Sequence, residues 1–169
     1  MHIQCTKKVL DFLNPIRTFQ DTDDDFYAWH MDYIIIERRK LFVLMNDLTR
    51  YCVVFYGVKK SDFKDSLYLL NHVIQVTMVG QGYDHTLIKK YLDGIQTITY
   101  DKTKNRFLVA RLNRAVLDTW WCCVSDLVLN SLEQPEISIS LNSGPVGQNN
   151  WKIVHFPDQK MEEYLRLLA

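Results

Sequence analysis

The sequence predicts an α+β fold: an antiparallel β-meander packed against helices, with a C-terminal hairpin and helix. Three observations point there. Runs 26–36, 41–45 and 51–56 are rich in β-branched and aromatic residues and are separated only by the short polar turns 37–40 and 46–50. The second and third runs are apolar on both faces, so helices should cover at least one side of the sheet. Segments with helical rather than alternating spacing follow, near 62–80 and 104–129.

In chain order, residues 2–5 read as a short first strand. Residues 7–13 read as one or two helical turns, stopped where Asn14 precedes Pro15. The acidic segment 21–25 is a loop by composition. After the meander, Ser61 stands as an N-cap ahead of Phe63, Leu67, Leu70 and Ile74, which repeat at helical spacing, and Gly80 and Gly82 end that helix. Asp84 caps a shorter helix carrying Leu87, Ile88, Tyr91 and Leu92, stopped by Gly94. Residues 95–100 alternate like a strand. The long helix 104–129 has the apolar stripe Leu108, Leu112, Ala115, Thr119, Cys123 and Leu127. Residues 137–141 alternate as a strand, 142–150 are a Gly/Pro/Asn loop, and 151–156 are a second strand. Asp158 is placed to cap a terminal helix bearing Met161, Leu165 and Leu168.

A chain of 169 residues is long enough to bury a core as a single domain, 1–169. Lysine plus arginine equals aspartate plus glutamate at 20 each, so any nucleic-acid binding must come from a local patch. The N-terminus has no apolar signal core, and no run of about 18 apolar residues exists to span a bilayer. No membrane partner and a cytoplasmic location are expected. Cys5, Cys52, Cys122 and Cys123 form no Cys-x-x-Cys pair, which fits reduced, mostly buried thiols.

No metal or cofactor is expected. The five histidines lack zinc spacing, and the acidic run lacks the glycine and terminal glutamate of an EF-hand loop. Gly144-Pro-Val-Gly147 is not a phosphate loop, because neither lysine nor Ser/Thr follows it.

Two polar clusters remain as candidate sites. Arg38-Arg39-Lys40 sets three adjacent cations between apolar strands, either as a solvated hairpin turn or facing a phosphate or carboxylate. Asn46 opens the next turn. His30 and Asp32 share a strand face, the ingredient of general-base chemistry or simply of a structural pair. Arg106 and Asn113 lie seven apart on one helix face with small Ala110 between them. Arg106 falls in the first turn, where free N–H groups favour anions; the alternative is a solvent-facing stripe with Arg114.

The combination Trp29-His30, Arg38-Arg39-Lys40, Asn46 and Arg106-Phe-Leu-Val-Ala-Arg-Leu-Asn113 resembles a family of small bacterial proteins, the domain of unknown function DUF6933. In that family the last motif is Arg-Ser, two aliphatic residues, Gly, any residue, Met-Asn. Here Phe107, Ala110 and Leu112 stand in place of Ser, Gly and Met, while Arg106 and Asn113 stay in register. The resemblance runs over about residues 1–125, leaving 131–169 as an added tail. It implies a compact cytoplasmic protein of bacterial or phage origin and assigns no reaction.

Two functions are therefore expected. One is binding of an anionic ligand, a nucleotide or nucleic-acid phosphate, by His30, Arg38, Arg39, Lys40, Asn46, Arg106 and Asn113. The other is a protein-interaction module, an inhibitor or antitoxin-like regulator of mobile-element origin, using Tyr27, Trp120, Trp121 and Trp151 against a protein partner or a second copy. Catalysis with His30 as base is a third reading, and no catalytic residue set is identified.

Overall fold

The hairpin of β2 (Ala28–Ile36) and β3 (Arg39–Asn46) organises the molecule, and β4 (Cys52–Tyr56) completes the antiparallel meander. The computed structural model describes residues 1–17, 25–148 and 152–168. On the other side of β2 lies β1 (His2–Cys5), and beyond it β5 (Thr99–Lys102), both pairings parallel, giving the order β4-β3-β2-β1-β5. The parallel step from β1 to β2 follows α1 (Lys7–Leu13), a crossover that a two-residue turn cannot make.

Pleating sends alternate residues to opposite faces, and both faces are covered. Ile3, Trp29, Met31, Phe42, Leu44 and Phe55 meet α2 (Ser66–Gly80), α3 (His85–Asp93) and α6 (Pro157–Leu167) in one core cluster. Leu41, Val43, Met45, Val54 and Tyr56 meet Leu108, Leu112 and Ala115 of α4 (Arg106–Asp126) and Ile137 of α5 (Pro135–Asn142) in a second. Each fully buried aliphatic or aromatic side chain contributes about 1.5–3 kcal/mol by leaving water. This is why β3 and β4 read as continuous apolar runs rather than alternating ones.

The α+β class and the meander stand as the sequence predicts, and a C-terminal hairpin, β6 (Val146–Gln148) with β7 (Ile153–His155), precedes α6. Several boundaries differ. Residues 137–141 are helical, not a strand: Pro135 starts α5, and Ile137, Ser138 and Asn142 turn inward at helical spacing. The alternation of Ile and Ser over five residues is too short to separate the two periods. Helix α2 is capped by Asp65, whose carboxylate accepts the Tyr68 N–H at 3.1 Å, because Lys60–Asp65 form a 3-10 turn ahead of it. Strand β5 is shifted to Thr99–Lys102, and Asn105 caps α4, accepting N–H groups of Phe107 and Leu108. Of the acidic segment only Asp25 lies within the described residues.

Helix α5 also seals the outer edge of β4. The Asn142 amide makes both bonds a neighbouring strand would make, accepting the Cys52 N–H at 2.7 Å and donating to the Cys52 carbonyl at 2.9 Å. Ser138 Oγ accepts the Val54 N–H at 2.9 Å, and the Leu132 carbonyl accepts that of Tyr56 at 2.8 Å. An otherwise open pairing edge is thereby closed.

Glycine 94 follows α3, where an added Cβ would collide with the Tyr27 ring, which stacks on Tyr91 at 4.9 Å between centroids. Gly94→Ala should therefore cost about 1–3 kcal/mol through overpacking, read as a shift in the urea midpoint without a change in slope.

Candidate functional site

The β2–β3 turn is two residues long, Glu37-Arg38, and both have positive φ (46° and 64°). Hairpins this tight favour Asn-Gly, because left-handed backbone costs about 1 kcal/mol or more for a residue with a Cβ. Here charged side chains occupy both positions, a local strain that holds Arg38 out in solvent.

Antiparallel pairing brings the far end of β4 back beside this turn. Arg38, Arg39 and Lys40 therefore share an open groove of about 490 Å³ with Lys59 and Lys60, which follow β4. The Arg39 guanidinium donates to the Leu129 carbonyl at 3.2 Å, and Lys40 Nζ lies 4.1 Å from the Phe12 ring centroid. Both side chains are thus held in place while their charges stay at the groove. Asp62 lies nearby, its carboxylate accepting the Lys59 N–H at 2.8 Å. Lys59 and Lys60 are absent from the residues singled out in the sequence. Counting antiparallel strands was the available signal: the end of β4 must neighbour the start of β3.

His30 and Asn46 do not join these cations. The register pairs Ile36 with Arg39 at one end of the hairpin and Trp29 with Asn46 at the other. At about 3.3 Å per residue, some 20 Å separate His30 from the turn. Asn46 is wholly buried and committed to the β3–β4 turn: its side-chain oxygen accepts N–H groups of Leu48 and Thr49, and its amide donates to the Phe26 carbonyl.

His30 is also fully buried, and its carboxylate partner is Asp47, with Nδ1 at 2.6 Å from Oδ1. Asp32 instead accepts the Thr6 hydroxyl at 2.6 Å and pairs with Lys8 at 3.1 Å. Gln4 donates to the other Asp47 oxygen at 3.2 Å, so the pair sits in a polar island beneath α4. Nε2 of His30 and of His2 are buried without a hydrogen-bond partner. His30 is thereby closed off from solvent.

Arg106 and Asn113 are exposed on α4 and do not line the cationic groove. Cys5 and Cys52 are buried and free, and burial pushes the Cys52 thiol up to about 12, which leaves it unreactive at neutral pH. No helix among the described residues is long and apolar enough to cross a membrane, and no group of three or more His, Cys, Asp or Glu among them is placed to hold a metal ion.

The family model for the domain of unknown function DUF6933 matches residues 2–160. The chain belongs to this family. The match runs well past residue 125, so the tail is part of the DUF6933 unit, in keeping with α5 and α6 packing into both core clusters. No curated protein and no solved structure matches the chain.

Among the aromatic candidates for an interface in this DUF6933 chain, Tyr27 is committed to its stack on Tyr91, and Trp151 lies outside the described residues. Trp120 and Trp121 are 49% and 67% exposed on α4, beside exposed Leu117.

Proposed function

We propose that the protein binds phosphate groups of a nucleotide or nucleic acid along the groove formed by Arg38, Arg39, Lys40, Lys59 and Lys60. The observation that supports it is the gathering of five cations from two separate segments in a chain of zero net charge. Like charges brought together repel unless an anion bridges them, and a strained turn holds one of them outward. An open groove suits a run of backbone phosphates better than an enclosed metabolite. His30, Asn46, Arg106 and Asn113 fall outside this ligand set. A bacterial or phage origin and a cytoplasmic location belong to the same reading.

Anisotropy of a labelled single-stranded oligonucleotide tests it. Five phosphate contacts give log K against log salt a slope of roughly −3.5, at about −0.7 per contact. Arg38→Ala/Arg39→Ala should flatten the slope by about 1.4 and weaken binding at least tenfold at low salt, while stability falls by no more than about 1 kcal/mol. Binding that ignores salt, or that survives the double variant unchanged, would refute the groove.

A protein-interaction role is the second reading, favoured by the exposed Leu117, Trp120 and Trp121 ridge. A stoichiometric protein partner on co-purification, lost in Trp120→Ser/Trp121→Ser, would support it over phosphate binding.

A further inference from the structure

On the α4 face of the sheet, a cavity of about 280 Å³ opens between β3, β4, α4 and the segment that follows α5. Three arginines line it: Arg50 from the β3–β4 turn, and Arg111 and Arg114 from α4. They share it with the apolar side chains of Met45, Leu141 and Val146.

The three arginines differ in how they are paired. Arg114 Nε is 3.0 Å from the Asp118 carboxylate, so its charge has a partner. Arg111 donates to the Gly147 carbonyl, which satisfies an N–H but supplies no counter-charge. Arg50 is the least satisfied: Nε and Nη1 are both buried, and neither has a hydrogen-bond partner. Its backbone has φ 65°, so the residue takes up a strained conformation at the position that aims it there. A buried guanidinium N–H left unpaired is among the more costly features a fold can keep. Further positive groups crowd the same region. Burial lowers the pKa of Arg50; the Asp47 carboxylate opposes that shift, and Arg111 adds to it. Lys160 is lowered by burial and then by Arg50.

We infer that this cavity is a binding site for a small oxyanion-headed molecule with an apolar body, its head group accepting hydrogen bonds from Arg50 and Arg111. The arginines supply donors and charge for a phosphate or carboxylate head, and Met45, Leu141 and Val146 supply the surface for the remainder. This site is independent of the cationic groove, which lies at the opposite end of β3 and shares no lining residue with it.

Thermal unfolding with phenyl phosphate, and separately with benzoate, tests the inference against sodium chloride of matched ionic strength. Saturable stabilisation is expected from at least one of them, with a Tm rise of about 5–10 °C at a hundredfold excess over Kd. Preference for phenyl phosphate assigns a phosphate head, and preference for benzoate a carboxylate. The rise should vanish in Arg50→Met and in Arg111→Met, and persist in Arg38→Ala/Arg39→Ala. The Arg111 variant keeps the test decisive where Arg50→Met fails to fold. Absence of saturable stabilisation by both probes overturns the site. So does a rise that survives in Arg111→Met, or one that disappears in the groove variant.

Discussion

Asp47→Ala is expected to destabilise the protein by about 4 kcal/mol. The carboxylate is buried, one oxygen lying 2.6 Å from His30 Nδ1 and the other accepting from Gln4 at 3.2 Å. Removing it leaves the enclosed His30 ring and the half-buried Gln4 amide without their acceptor. A buried donor left without its acceptor costs about 1–3 kcal/mol, and the cavity left by the carboxylate adds to that. Asp47→Asn keeps an oxygen in place and should lose less than half as much. Equilibrium urea unfolding of the two variants separates the contributions of charge and hydrogen bonding. A loss below about 1 kcal/mol for the alanine variant would mean that water replaces the carboxylate, and that the island is not sealed.

Asn142→Ala should cost about 3 kcal/mol, a Tm fall of roughly 6–12 °C for a chain of this size. One side chain satisfies both the N–H and the carbonyl of Cys52, and both become buried and unpaired on truncation. Substitution by aspartate provides a sharper comparison. It retains the acceptor for the Cys52 N–H but sets a carboxylate oxygen against the Cys52 carbonyl. Asn142→Asp should therefore be at least as damaging as alanine, despite its closer shape. Equal stability of Asn142→Asp and the parent would show that the amide does not bridge the strand.

The meander was legible because its signals are local: β-branched runs, short polar turns and the twofold apolar faces of β3 and β4. The order of the remaining strands was not. Nothing in His2–Cys5 or Thr99–Lys102 states that both lie parallel and adjacent, since that is fixed by α1 crossing over and by packing far along the chain. Helix α5 reads as a strand in the sequence because Ser138 and Asn142, polar residues that an amphipathic pattern sends to solvent, turn inward to serve the backbone of β4. At the candidate site, Arg38, Arg39 and Lys40 were visible as a charge run, and Lys59 and Lys60 follow from pairing geometry. Arg50 and Arg111 stand 61 positions apart, and no spacing rule joins them; only the packing of α4 over the β3–β4 turn does.

The closure of β4 by α5 also has a consequence in time. Asn142 is made 90 residues after Cys52. At about 5–20 residues per second, a nascent chain holds a finished meander with one bare pairing edge for about 5–18 s. Throughout that interval the strand's free N–H and C=O groups can recruit an edge from a neighbouring chain. Ribosome-bound intermediates stalled before residue 131 should therefore associate with one another and engage chaperones, whereas those stalled after the tail has left the exit tunnel should not.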